Sequence, residues 1–315
     1  MNMSKTDDKA KLKKALEVAR LYYEAQLGQV EIAEKLGISR PTISRLLQFA
    51  QEEGIVQIKV VDPFFSISKL EQQLSKRYGL KQVKIVYADE KNLQEQLGKK
   101  AASYLEEIVT DDDIIGVSWG KTMNEVARSL KIQSATGVKV VELKGGITYT
   151  PTPIYIERVL KNFERAFNTT AYKMPLPVVF ENKQTHDIVL QDRYIKQLIE
   201  LGKQANIALF TVGTVRDDAL LFQTGYFNKV EIRKIQANAC GDICSRFYDE
   251  QGQIAVEEIN NRTVGIKLED LKDKDYSILI AGGKRKYQAI KGALIGGYAN
   301  CLITDVETAK TLLSE

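Results

Sequence analysis

The sequence predicts two folded parts: an N-terminal all-α helix-turn-helix with a following wing, and an α/β domain on a mostly parallel sheet. Three observations carry that expectation. Two short helix-period stretches flank Gly37 near the start of the chain. Six short apolar runs recur between Val83 and Ile303, with helical patterns between them. The 315 residues are 44% hydrophobic and 27% charged, an ordinary globular composition with chain enough for more than one core.

Composition excludes several classes of function. No run of 18 or more apolar residues occurs, so no membrane-spanning helix is expected. Met1, Asn2, Met3 and the mixed charges after them resemble neither a secretory leader nor a transit peptide, so a cytoplasmic location is expected. Three cysteines, Cys240, Cys244 and Cys301, argue against a disulfide framework. Cys240 and Cys244 lack two further ligands and His186 is the sole histidine, so neither a metal site nor a histidine-based triad is expected. His186 itself falls in a polar stretch and is expected at the surface. No cofactor and no catalytic set are expected.

A net charge of +4 is too mild to announce a nucleic-acid partner, but its distribution says more. Residues 9–26 carry Leu12, Ala15, Leu16, Ala19, Leu21, Tyr22 and Tyr23 at helical spacing. A short helix then presents Ile32, Ala33 and Leu36, and Gly37 supplies a turn open to a residue without a side chain. Ser39 caps the next helix, Pro41 fits its first turn, and Ile43, Leu46 and Leu47 face back inward. No acid occurs from 37 to 51, and Arg40, Thr42, Ser44, Arg45 and Gln48 point outward. Arg and Gln can read base edges, while hydroxyls suit phosphate oxygens. With Gln29, Ser39 and Pro41 these residues form the expected contact set for double-stranded DNA; the competing reading is a hairpin used only for packing. Residues 54–61 alternate like the strand of a wing, so this domain is expected over 1–61.

A connector is expected over 62–81. Ser68 and Glu71 suggest a capping box opening a helix to Tyr78 with Ile67, Leu70 and Leu74 on one face, packed or used for dimerisation. Residues 82–315 then alternate strand and helix, which places a ligand beyond the carboxyl ends of the strands.

The unusual residues fall at those ends. Ser118, Gly120, Lys121 and Thr122 follow one strand; Lys144, Gly145 and Gly146 follow the next. Gly213, Thr214 and Arg216 follow a third, and Gly282, Gly283 and Lys284 a fourth. Glycines admit an anion to backbone amides and the cations complete the site, which points to a sugar phosphate. None of the loops has the spacing of a nucleotide triphosphatase. Lys144 ends an apolar strand, so desolvation would free its amine for an imine with an aldehyde. The plainer reading is an ion pair with a phosphate, with Asp113 or with Asp242. Trp119 is expected to line the pocket or sit in the core, and Asp242 and Arg246 to face the pocket or to pair.

Taken together these residues resemble the SorC family of bacterial transcriptional regulators. The likeness lies in the segment from Gln29 to Leu47 and in Gly116-Val117-Ser118-Trp119-Gly120-Lys121-Thr122. It also lies in Leu143-Lys144-Gly145-Gly146, Gly241-Asp242-Ile243-Cys244 and Ala281-Gly282-Gly283-Lys284. It covers essentially the whole chain. The resemblance implies an effector domain related to sugar-phosphate isomerases, a homo-oligomer (dimer or tetramer), and operator DNA released by a phosphorylated sugar. Residues 206–217 are most similar to the deoxyribonucleoside-responsive branch, which implies deoxyribose-5-phosphate, with Lys144 as the matching amine. Lys121 departs from a pattern in which threonine would be unremarkable. The expected function is a repressor of sugar or deoxyribonucleoside catabolic genes. The alternatives are an isomerase- or aldolase-like enzyme with an appended DNA-binding module, or an activator of the same family.

Overall fold

The computed structural model describes residues 5–56, 63–148, 151 and 154–314. The chain separates into two compact units, Met1–Pro63 and Phe64–Glu315. No described helix is both long and apolar enough to cross a membrane.

The first unit is helical. Helix α1 (Lys5–Ala19) runs into a wide π turn, Arg20–Glu24, and is followed by α2 (Gln29–Leu36) and α3 (Arg40–Glu52). Ala15, Val18 and Ala19 pack with Ile32, Ile43, Leu46, Leu47 and Ala50 in one small core. Two residues of the expected helical face, Leu16 and Tyr23, are each 40% exposed, while Val18, not among them, is buried. Gly37 has φ 64 and donates its amide to Ala33, ending α2 in the left-handed conformation that a Cβ would strain. Ser39 accepts from the Thr42 amide and Pro41 lies in the first turn of α3. After Gly54, Ile55 and Val56 pack on the same core. Residues 57–61 of the expected wing strand lie outside the described residues.

In the second unit the strands are β1 (Gln82–Val86), β2 (Ile114–Val117), β3 (Lys139–Glu142), β4 (Ala171–Tyr172) and β5 (Ile207–Phe210). Then come β6 (Val212–Gly213), β7 (Gly241–Ile243), β8 (Arg246–Tyr248), β9 (Tyr276–Ile280) and β10 (Cys301–Asp305). Seven of them form one parallel sheet in the order β1-β10-β9-β5-β2-β3-β4. The other three form a small antiparallel sheet, β6-β7-β8.

The helices of this unit are α4 (Pro63–Tyr78), α5 (Leu93–Ile108), α6 (Lys121–Ser129), α7 (Ile156–Phe167) and α8 (Lys183–Val189). They continue with α9 (Arg193–Gln204), α10 (Lys229–Asn238), α11 (Glu257–Asn260), α12 (Tyr287–Ile295) and α13 (Val306–Ser314). Alternate residues of each central strand enter opposite cores, because successive side chains of a strand leave opposite faces. Ile207 and Leu209 of β5, with Ile278 and Ile280 of β9, meet α5, α6 and α7. Ala208 and Phe210, with Leu279, meet α4, α12 and α13. A sheet covered on both faces needs continuous apolar strands, and its polar groups are pushed to the strand ends.

The helix read as opening at Ser68 begins at Pro63, so Ser68 does not cap it. Glu71 accepts instead from the Ile85 amide at 2.9 Å, satisfying a donor that edge strand β1 turns away from β10. The helix itself is docked in the second unit, where Leu74 is fully buried. Leu74→Ala should therefore lower the stability of this unit by about 2–5 kcal/mol in chemical denaturation. An undocked connecting helix would show no change.

Candidate functional site

A cavity of about 640 Å³ opens at the carboxyl ends of β2, β5 and β9 and beside the β7–β8 hairpin. Ser118 and Gly120 reach it from the β2–α6 loop, Lys121 and Thr122 from the start of α6, Lys144 from just past β3, and Gly213 and Thr214 from the end of β6 and the residue after it. Gly282, Gly283 and Lys284 reach it from the loop after β9, and Asp242 from β7. The first turn of α6 thus borders the cavity, with Thr122 Oγ1 donating to Gln94 at 2.7 Å.

Three expected residues are not among its lining. Gly145 is a close-approach glycine: a Cβ there would lie 2.5 Å from the Pro177 carbonyl oxygen and 2.6 Å from that of Leu176. Gly146 packs on Glu142, where a Cβ would lie 2.4 Å from Oε1. Arg216 is exposed, with Nε 3.8 Å from Asp218 Oδ1. Conversely Trp119, Cys244, Asp218, Arg285 and Lys286 do line the cavity. Lys286 belongs to the same glycine-and-cation run as Lys284 and was legible there, whereas Cys244 was marked only by its place in the segment Gly241-Asp242-Ile243-Cys244.

Lys144 is buried at 5% exposure, yet its ammonium is not orphaned. Nζ donates to Ser245 Oγ at 3.1 Å and lies 3.6 Å from the centre of the Trp119 ring. The indole is fixed in turn by Nε1 donating to the Gly145 carbonyl at 2.8 Å. Burial pushes the amine below the ordinary lysine range, opposed by the negative charge of Asp242. Asp242 is buried too, and desolvation raises its carboxyl against the pull of Lys144, the Ser245 amide and Lys286. Lys286 is half-buried but its amine end is desolvated enough to be pushed down to about 8, again opposed by Asp242; Nζ donates to Thr211 Oγ1 at 3.1 Å. The cavity therefore holds two amines and one carboxyl whose protons are poorly solvated and mutually dependent.

Other side chains resolve differently from the sequence reading. Arg246 does not pair with Asp242. It is buried and donates to the carbonyls of Ile266, Asn260, Thr263 and Gly265 and to Asn260 Oδ1, clamping the chain behind the hairpin. Asp113 lies at the opposite end of the sheet from Lys144, accepting from the Thr110 amide and Asn206 Nδ2. His186 sits on α8 and is buried rather than superficial, Nδ1 on Asp187 at 3.0 Å and Nε2 on the Thr263 carbonyl at 3.3 Å. It faces no part of the cavity around Lys144.

Ser118 carries the clearest mark of a missing partner. Its residue is 2% exposed, it lines the cavity, and its Oγ has no hydrogen-bond partner among the described residues. A buried hydroxyl without a partner is uncommon in a finished interior.

In the first unit Ser39, Arg40, Pro41, Thr42, Ser44, Arg45 and Gln48 are exposed, while Gln29, at the start of α2, is half-buried. Ser39 Oγ and Thr42 Oγ1 pair at 2.8 Å, and Gln48 Nε2 donates to Glu52 Oε1 at 2.9 Å. The exposed face of α3 is cationic and hydroxyl-bearing through its first two turns, as a phosphate-facing helix requires.

Residues 62–314 match the family described as "Putative sugar-binding domain", and residues 19–57 match a winged helix-turn-helix DNA-binding family. The chain is 48% identical over 311 residues to the deoxyribonucleoside regulator of Bacillus subtilis, covering 98% of this chain and 99% of that one. It is 31% identical over 319 residues to the sorbitol operon regulator of Klebsiella pneumoniae, covering 99% and 100%. The crystal structure of that full-length Klebsiella regulator superimposes with a TM-score of 0.73 at 30% identity, over 96% of this chain and 99% of that one. A DNA-reading helical unit and a sugar-binding α/β unit on one chain define a sugar-responsive transcriptional regulator. The chain belongs to the SorC family of such regulators.

If the sugar supplies the partner that Ser118 lacks, Ser118→Ala should leave the melting temperature of the ligand-free protein unchanged or raised. It should weaken sugar binding by about 0.5–1.5 kcal/mol, the usual net value of one hydrogen bond. Titration calorimetry on both proteins reads the difference; equal affinities would remove Ser118 from the contact set.

Proposed function

We propose that the protein is a repressor that binds operator DNA through α3 and is released by open-chain deoxyribose-5-phosphate, held as an imine on Lys144. The observation that carries this reading is the desolvated Lys144 amine, buried at the floor of a cavity and held by a serine hydroxyl and an indole face. An ammonium solely needed to pair with a phosphate gains nothing from having its proton loosened, whereas an amine that must attack a carbonyl does. The 48% identity to a deoxyribonucleoside regulator supports an aldehyde sugar phosphate as the ligand. Lys121 and Lys284, both exposed on the cavity rim, are the proposed phosphate partners.

On the DNA side, Arg40, Arg45 and Gln48 are proposed to read base edges, and Ser39, Thr42 and Ser44 to contact phosphates, with Gln29 and Pro41 flanking them. A dimer or tetramer would present paired α3 helices to two half-sites. The sugar must bind the weakly DNA-binding state better than the operator-bound one, since equal affinity shifts nothing.

Lys144→Ala should abolish release by the sugar while operator affinity stays intact. A gel shift on the protein's own upstream DNA, against a panel of sugar phosphates, measures both, and borohydride trapping with mass spectrometry identifies the bonded residue. Release by deoxyribose-5-phosphate with a reduced adduct on Lys144 supports the reading. Release by another sugar phosphate without an adduct replaces it with non-covalent sensing. Arg45→Ala should weaken operator binding by about 1–3 kcal/mol if the arginine reads a base. Unchanged binding would assign α3 recognition to its other residues.

A further inference from the structure

The turn between β7 and β8 has an unusual occupancy. A two-residue turn with both central residues in the left-handed region is normally filled by Asn-Gly or Gly-Gly. Here the residues are Cys244 with φ 50 and Ser245 with φ 67, between the paired Ile243 and Arg246. Strain of this kind is held where surrounding contacts over-determine it. Those contacts converge on Lys144: Ser245 Oγ accepts from its Nζ at 3.1 Å, and the Ser245 amide donates to Asp242 Oδ2 at 3.0 Å. Asp242 is pressed against Gly213, where a Cβ would stand 1.9 Å from Oδ1, so only glycine there leaves the carboxylate its place. One strained serine thus ties a buried amine and a buried carboxyl together on the wall of the sugar cavity.

We infer that Asp242 is the proton donor for imine formation at Lys144, and that Ser245 is the positioning residue that holds the amine for attack. The inference rests on the imine reading given above. Ser245 bridges the two groups, and one proton resides on either of them, as ammonium with carboxylate or as amine with carboxylic acid. From the second form the Lys144 lone pair attacks the aldehyde carbon and a C–N bond forms. The carbonyl electrons pass to oxygen, which takes up the proton leaving nitrogen, giving the carbinolamine. Asp242 then protonates that hydroxyl, the C–O bond breaks, water departs, and the nitrogen lone pair closes the C=N bond. Amine, carboxylic acid and aldehyde become iminium, carboxylate and water, with no change in total charge. The charged or titratable groups around Asp242 are Lys144 at the end of β3, Lys286 before α12, and Cys244 and Tyr248 from its own hairpin. Lys286 is the second cation that holds the carboxylate produced.

The test uses the full chain, deoxyribose-5-phosphate, and the alditol phosphate made from it by reduction, which has no carbonyl. Binding of both is followed by the fluorescence of Trp119, the sole tryptophan, and adduct formation by timed borohydride quenching with intact-mass detection over a pH series. Wild type should give a bell-shaped rate profile. Asp242→Asn, which keeps an acceptor for the Ser245 amide, should slow adduct formation by about a hundredfold or more and lose the alkaline limb. Its affinity for the alditol phosphate should change far less than its rate of condensation. Ser245→Gly removes the acceptor of the Lys144 ammonium together with the left-handed strain, so it should condense more slowly at saturating sugar. Asp242→Asn with the wild-type rate profile, or weakened for the alditol phosphate alone, overturns the inference while leaving the imine intact. A Ser245→Gly protein that condenses at the wild-type rate overturns the positioning role. Wild type that binds both compounds without any trapped adduct refutes the imine itself, and the inference with it.

Discussion

A lysine amine closed into the end of a parallel sheet is the constraint around which the second unit is arranged. Burying an unpaired ammonium is prohibitive, so the fold must supply charge, hydrogen bonding or a shifted proton. It supplies all of these from segments far apart in sequence: the indole of Trp119, the hydroxyl of Ser245 and the carboxyl of Asp242. Backbone packing is shaped to the same end. Gly265 pairs with Lys144 across an isolated bridge at φ 127, and a Cβ there would stand 2.4 Å from the Leu143 carbonyl oxygen. Glu142, two residues upstream, is also buried and is pushed up to about 8 by desolvation, with one oxygen held by the Met174 amide at 2.9 Å. The carboxyl end of β3 thus concentrates buried ionisable groups beyond the apolar Val140 and Val141.

The sheet explains why they are concentrated there. Its central strands face apolar cores on both sides, so a polar side chain within a strand would enter one core or the other. Only the residues just past the strands escape that alternation. In a parallel sheet the carboxyl ends all point the same way, so loops from β2, β3, β5 and β9 converge on one cavity. The hairpin β7–β8 closes it from the side, and Arg246 anchors that hairpin through five hydrogen bonds to the segment 260–266.

Much of this was legible in the sequence because burial on both faces writes a strong pattern. The six apolar runs correspond to β1, β2, β3, β5, β9 and β10, and the loops after β2 and β9 reach the cavity as their glycine-and-cation runs implied. What was not legible has physical causes. Strand β4 is two residues long and the strands of the small sheet two or three, too short for alternation to register. The turn Cys244-Ser245 lacks the glycine or asparagine that announces left-handed backbone, so the partner of Lys144 was hidden. Gly145 and Gly146 were read as anion-admitting glycines, but tight packing against Pro177, Leu176 and Glu142 accounts for both. Arg246 looked like a pocket cation, and only the fold reveals the carbonyls that use up its donors. The helix-turn-helix was plain because its cap, turn glycine and first-turn proline act locally, within residues 37–42.

The proton arrangement also bears on how such a cavity could hold a covalent ligand without coming apart. A buried ammonium beside a buried carboxylate is tolerated because each offsets the other's desolvation, and replacing one of them by a neutral group would leave the other uncompensated. Acylation of the amine would do that. Condensation to a protonated imine does not, since the positive charge stays on the same nitrogen. What changes is the number of donors: an ammonium offers three hydrogens, an iminium one. Among the described residues Lys144 has a single hydroxyl acceptor, Ser245 Oγ, and an aromatic face, which asks little of a nitrogen that has given up two hydrogens. A site crowded with further acceptors would have resisted that loss. Sparse hydrogen bonding with dense charge compensation is therefore the electrostatic setting in which a lysine can take up an aldehyde and release it again.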